Sequence, residues 1–312
     1  MYKFSLGNFI SESNQLLENV EIAYHIFGEL APEKKVIWVC HALTANSDAQ
    51  DWWPNFIGEN LTLDTEKYTI VCANILGSCY GTSFQKQEKL PLITIRDMVK
   101  LHQELAKFLQ ISEIELLLGG SLGGMQCLEW AIAEPDFIKK LFVIATNAKH
   151  SAWGIAFNEA QRMALELGEN GIDAARAIAM LSYRNYATFE ETQTDEEEKL
   201  EQYRAASYQR HQGEKLRKRF SKESYLMLSK AMDSHHLGRG RNSVENALNQ
   251  ITAETLVIGI DSDILFPVSE QKFIAEHIKN AKLEVISSLY GHDGFLIETE
   301  KISTLLKKHF KL

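Results

Sequence analysis

The 312-residue sequence predicts a doubly wound α/β fold, a mostly parallel sheet covered by helices on both faces and interrupted by an inserted helical cap. Three observations predict it. Short, almost wholly apolar runs of β-prone residues recur in the first half of the chain and again near its end, as expected for strands buried on both sides. Stretches with apolar residues at helical spacing lie between them. From about Ser151 to Arg241 that alternation lapses, and no strand-like run appears.

The elements follow in order. Tyr2–Ile10 and Leu17–Phe27 read as antiparallel edge strands. Lys35–Cys40, Tyr68–Ala73, Ile114–Leu118 and Leu141–Ala145 read as buried parallel strands, with helices over residues 94–109 and 122–134. Within the interruption, Thr194 is expected to cap a new helix, with Glu197 reaching back to it and Asp195–Glu198 forming a solvated helical face. Lys222–Met232 is a further helix. The α/β pattern then resumes with a strand at Thr255–Ile260, a helix at Val268–Ile278, a strand at Leu283–Ile286 and a terminal helix from about Gly294 to Lys311. The division that follows is a core domain of residues 1–150 and 242–312, with a cap of residues 151–241.

Composition narrows the function. With 33 basic against 42 acidic residues the net charge is −9, which argues against nucleic acid as a ligand, since phosphate binding needs a basic excess. Four cysteines without C-x-x-C spacing read as free thiols, three of them buried and Cys79 in a turn. There is no H-E-x-x-H and no cysteine–histidine cluster, so no metal site is expected. Met1–Ile10 has neither a basic start nor a continuous apolar run, and no segment offers the ~20 apolar residues that a membrane span requires. Cytoplasmic residence is the expectation, with no membrane partner.

Gly119-Gly120-Ser121-Leu122-Gly123 satisfies G-x-S-x-G and stands between a buried strand and a helix. A sharp strand-to-helix turn raises a serine hydroxyl above the sheet and needs glycines around it; this is the nucleophile elbow of α/β-hydrolase folds. A phosphate loop is disfavoured because no G-K-[ST] follows. Serine needs a base, and the base an orienting acid, in the chain order Ser, Asp or Glu, His. His292 in Tyr290-Gly291-His292-Asp293-Gly294 follows the last strand and is the candidate base. Asp261 and Asp263 share the loop after the preceding strand; Asp263, deeper in the loop, is preferred as the acid. The developing oxyanion needs donors: the backbone N–H of Leu122, after the nucleophile, and that of Leu43 in the loop His41–Asn46. His41 itself is expected to be structural.

With these residues in view, the chain resembles the homoserine O-acetyltransferase family. The likeness runs over roughly residues 17 to 310. It is carried by His41–Thr44, Trp52-Trp53, Asn74–Thr82, Thr94–Val99, Gly119–Trp130, Ser182-Tyr183-Arg184, Arg219-Phe220, Ser262–Pro267 and Gly291–Leu296. The resemblance implies Ser121 as nucleophile, Asp263 as acid and His292 as base. It also implies ping-pong transfer of an acyl group from acetyl-CoA, a donor substrate and not a resident cofactor, to the hydroxyl of L-homoserine in methionine biosynthesis. It assigns Arg184 to the substrate carboxylate and Asp293 to the ammonium group, and it implies a homodimer paired through the cap. Read from the residues alone, Arg184 serves equally as a surface ion pair and Asp293 as a helix cap. Likewise the basic stretch Arg210–Arg219 is expected to be a solvated helix more than a contact for coenzyme A phosphates.

Other readings stay open at this point. Water can replace the acceptor alcohol, so an esterase of small acyl esters is the runner-up. Serine can replace homoserine, and succinyl can replace acetyl. A non-catalytic binding protein that kept the fold is the third reading, opposed by the intact Ser, His and Asp set.

Overall fold

The computed structural model describes residues 1–168 and 170–311. Ten strands are present among the described residues: β1 (Tyr2–Ile10), β2 (Leu16–Phe27), β3 (Lys35–Cys40), β4 (Ile57–Gly58), β5 (Leu63–Asp64), β6 (Tyr68–Ala73), β7 (Ile114–Gly120), β8 (Ile138–Ile144), β9 (Glu254–Ile260) and β10 (Ala281–Ile286). Eight form one sheet in the order β1-β2-β6-β3-β7-β8-β9-β10, while β4 and β5 pair separately. The β1–β2 and β2–β6 pairings are antiparallel, and every pairing from β6 to β10 is parallel.

The all-apolar strands arise because successive residues feed two cores. Trp38, Leu117, Val143 and Val257 point into one apolar cluster with the helices Ile95–Phe108 and Leu122–Ala133. Ile37, Leu116, Phe142 and Ile258 point into the other, which the C-terminal helix fills with Ile302, Leu306 and Phe310. A strand with water on one face alternates apolar and polar residues; these strands have no such face.

Strand order positions the site. From β3 the chain crosses to β6 on one side, then returns to β7 on the other. The loops leaving β3 and β7 therefore part at their C-terminal ends, the switch point where open α/β sheets make their ligand crevice.

Between β8 and β9 the major helices are Ala152–Leu165, Gly171–Tyr183, Tyr186–Gln193, Arg204–Arg217 and Lys222–Asp233, with no strand of the sheet among the described residues. Two expectations are corrected. Thr194 does not start a helix; it ends Tyr186–Gln193, and its hydroxyl donates to the Glu190 carbonyl at 2.6 Å. The acidic run is irregular chain, in which the Asp195 carboxylate pairs with Lys199 and accepts from the backbone N–H of Arg204, thereby capping the next helix. The terminal helix is broken at Glu298 into Gly294–Ile297 and Thr299–Phe310. The first piece must seat Phe295 beside His292, and the second must lay its apolar stripe on the sheet. One straight helix does not meet both demands. No helix among the described residues is long and apolar enough to cross a membrane.

Candidate active site

Ser121 stands between β7 and the helix Leu122–Ala133 with φ 55° and ψ −127°, a backbone conformation that non-glycine residues avoid. Its N–H donates to the Ile144 carbonyl at 3.0 Å, and its own carbonyl accepts from the Thr146 hydroxyl at 2.8 Å. Neighbouring β8 and the loop after it thus hold the strained turn in place. The flanking glycines are required by contact: a Cβ on Gly123 would lie 2.1 Å from the Cys40 carbonyl oxygen, and one on Gly119 2.5 Å from the Gly123 backbone.

His292 Nε2 lies 2.9 Å from Ser121 Oγ, and His292 Nδ1 lies 2.7 Å from Asp263 Oδ2. All three residues are buried. A carboxylate only accepts, so Asp263 fixes the proton on Nδ1 and leaves Nε2 free to accept from the serine hydroxyl. The other oxygen of Asp263 accepts from the N–H groups of Leu265 and Phe266, at 2.8 and 2.9 Å. Phe266 and Phe295 flank the imidazole with ring centroids 5.1 and 5.2 Å away. Geometry separates the two aspartates of this loop: Asp261 is exposed and accepts from the Ser288 N–H at 3.1 Å.

The loop after β3 brings Leu43 to the same place. Among the described residues, neither the Leu43 N–H nor the Leu122 N–H has a hydrogen-bond acceptor in the protein, so both donors are free for a ligand oxygen. His41 is fully buried, with Nδ1 at 2.8 Å from the Ala42 carbonyl and Nε2 accepting from the Ile75 N–H at 3.1 Å. Burial lowers its pKa to about 4. Both nitrogens are occupied, one within the loop and one by the segment after β6, which ties the loop to the core.

These groups open into a cavity of about 590 Å³. Ser121, His292, Leu43 and Asp293 line it, together with side chains that sequence reasoning did not place there: Arg176, Lys215, Arg219 and Tyr80. Lys215 and Arg219 belong to the basic stretch read as solvated, so part of that stretch faces the cavity. Nothing in the spacing of Arg176 marked it. Arg184 is not in the cavity wall. Its Nε donates to Asp293 Oδ2 at 2.8 Å, so the two residues assigned to opposite ends of a substrate bind each other. Cys40, Cys72 and Cys127 are buried free thiols and Cys79 is exposed. Among the described residues no group of three or more His, Cys, Asp or Glu is placed to hold a metal.

Comparison with known proteins identifies the family. Residues 35–299 match the family model for the alpha/beta hydrolase fold. A homoserine O-acetyltransferase of Cyclobacterium marinum is 41% identical, over 96% of this chain and 92% of its own length. One from Chlorobium chlorochromatii is 39% identical, over 96% and 91%. Among solved structures, homoserine O-acetyltransferase from Staphylococcus aureus superposes with a TM-score of 0.87 at 29% identity, covering 100% of this chain and 95% of that one. Esterase E22 superposes with a TM-score of 0.88 at 18% identity, covering 99% of each chain, which speaks for the fold alone. The chain belongs to the homoserine O-acetyltransferase family of α/β-hydrolase-fold proteins and is an acyltransferase.

Proposed function

We propose that the protein moves an acetyl group from acetyl-CoA to the side-chain hydroxyl of L-homoserine, in methionine biosynthesis, by a ping-pong route through an acetyl-Ser121 intermediate. The reading rests on one observation above all: a buried serine hydroxyl 2.9 Å from an imidazole that is itself 2.7 Å from a buried carboxylate. In the first half-reaction Ser121 Oγ attacks the thioester carbonyl while its proton passes to His292 Nε2. The carbon–sulfur bond breaks, and the departing thiolate takes that proton as coenzyme A. In the second, the acceptor hydroxyl gives its proton to His292 and attacks the acetyl carbon; the bond to Ser121 Oγ breaks, and the proton returns to the serine. In both, the oxyanion is to be held by the free N–H groups of Leu43 and Leu122. Asp293, in the cavity wall and braced by Arg184, is the proposed partner of the acceptor's ammonium group. Arg184, which stands behind Asp293, is the proposed partner of the acceptor's carboxylate once its guanidinium swings toward the bound acceptor. Residues 151–241 are proposed to act as a cap that keeps water from the acyl-enzyme.

The test is coenzyme A release from acetyl-CoA with and without L-homoserine, followed by mass spectrometry of the enzyme. Acetylation of Ser121, discharged by homoserine, is the expected result. Release that ignores homoserine would make the protein an esterase; discharge by L-serine, or acylation by succinyl-CoA alone, would move the acceptor or the donor. We further propose a homodimer paired through the cap, supported by exposed Met163, Leu167, Leu181, Tyr186 and Leu200 on that segment. A monomeric mass by light scattering at micromolar concentration overturns it.

A further inference from the structure

We infer that Arg219 is a positioning residue which completes the oxyanion hole from the cap side. The inference rests on the reading of Ser121 as the acylated residue and of the Leu43 N–H as an oxyanion donor. The backbone of the loop carrying Leu43 is hydrogen-bonded to the core at its two ends, and the Leu43 side chain is buried in the apolar cluster between them. At the first end, His41 accepts from the Ile75 N–H, and Gln126 donates to the His41 carbonyl at 3.1 Å. At the other, Trp52 Nε1 donates to the Asn46 carbonyl and the Ser47 N–H donates to Asn74 Oδ1, both at 2.8 Å. Between these ends the one hydrogen bond to a distant residue, among the described residues, comes from Arg219. Its Nη1 donates to the Thr44 carbonyl at 2.5 Å and to the Tyr80 hydroxyl at 2.7 Å.

Arg219 lies just past the helix Arg204–Arg217, and Tyr80 belongs to the loop after β6. The Tyr80 carbonyl in turn accepts from Asn74 Nδ2 at 2.6 Å, and the Tyr80 ring packs on Phe220. One guanidinium nitrogen thus ties the residue next to Leu43 to both the cap and the core. Among the described residues Arg219 has no carboxylate partner, so its charge is not spent on an ion pair. The Thr44 carbonyl shares a peptide unit with the Ala45 N–H, which donates to the Ala42 carbonyl at 3.1 Å, and that carbonyl shares a peptide unit with the Leu43 N–H. Fixing Thr44 therefore aims Leu43, and the hole is complete only while the cap is seated.

Arg219 lines the same cavity, so the competing role is direct contact with an anionic group of a substrate. A neutral ester separates the two. The acylation burst with p-nitrophenyl acetate, which carries neither phosphate nor carboxylate, is measured for the wild type, Arg219→Ala, Arg219→Lys, Tyr80→Phe and Ser121→Ala. Arg219→Ala is expected to slow acylation by about 10- to 100-fold, less than outright loss of an oxyanion donor, with the ester KM and the melting temperature nearly unchanged. Arg219→Lys, which can still donate, recovers most of the rate, and Tyr80→Phe falls between. With acetyl-CoA and the acceptor, kcat/KM falls by a similar factor for both substrates, because one hole serves both half-reactions. A wild-type burst in Arg219→Ala, with kcat/KM lost for one substrate only, overturns the inference and makes Arg219 an anion contact. A burst that survives in Ser121→Ala locates the failure earlier, in the choice of nucleophile.

Discussion

Replacing Asp263 by Asn tests the hydrogen-bond relay at its buried end. The backbone N–H groups of Leu265 and Phe266 both point at Oδ1, so an asparagine would leave its carbonyl oxygen there and turn its NH₂ toward His292. The ring proton must then move from Nδ1 to Nε2, and Nε2 can no longer accept from Ser121. The imidazolium formed during attack also loses its counter-charge. At the observed 2.7 Å contact, or at about 4 Å between charge centres, and an effective dielectric of about 20, that attraction is worth roughly 4–6 kcal/mol. This corresponds to about 10³–10⁴-fold in rate, in line with the same exchange in other serine triads. Stopped-flow release of coenzyme A in the first turnover reads the acylation step directly. An acylation rate constant within tenfold of the wild type, in a variant of unchanged melting temperature, would falsify the assigned role of Asp263.

Three further outcomes follow from the packing. Gly123→Ala should lower unfolding free energy by about 3 kcal/mol, because its Cβ meets the fixed Cys40 carbonyl at 2.1 Å; an unchanged urea midpoint refutes this. Glu129→Ala should cost about 3–5 kcal/mol, since buried Glu129 accepts from Arg241 and forms an ion pair with Arg96, and denaturant titration beside Glu129→Gln measures the loss. Stability should also fall with acid in a defined window. Burial lowers the pKa of His41, His102 and His150 from 6.5 to about 4, and that of His235 to about 3. The unfolded chain therefore binds more protons than the folded one between those values and about 6.5. The stability is complete above that window and lost as pH falls through it. Melting temperatures that stay level from about pH 7 to about pH 4.5 contradict this.

What the sequence by itself determined was everything carried by local pattern. Strands covered on both faces must be apolar throughout, so β3, β6, β7, β8 and β9 announced themselves, and a strand-to-helix turn crowded by glycines announced Ser121. His292 and Asp263 were legible because chain order and loop position are properties of the sequence. Less visible was whatever depends on which surfaces meet. The break at Glu298 answers two separate packing demands, and Asp195 caps a helix that begins nine residues later. The Arg184–Asp293 pair joins residues 109 positions apart, and Arg219 reaches Thr44 across 175. Composition and spacing cannot tell a cation that faces solvent from one that faces a cavity. That choice belongs to the tertiary structure, because only the folded chain decides which acceptor each nitrogen meets.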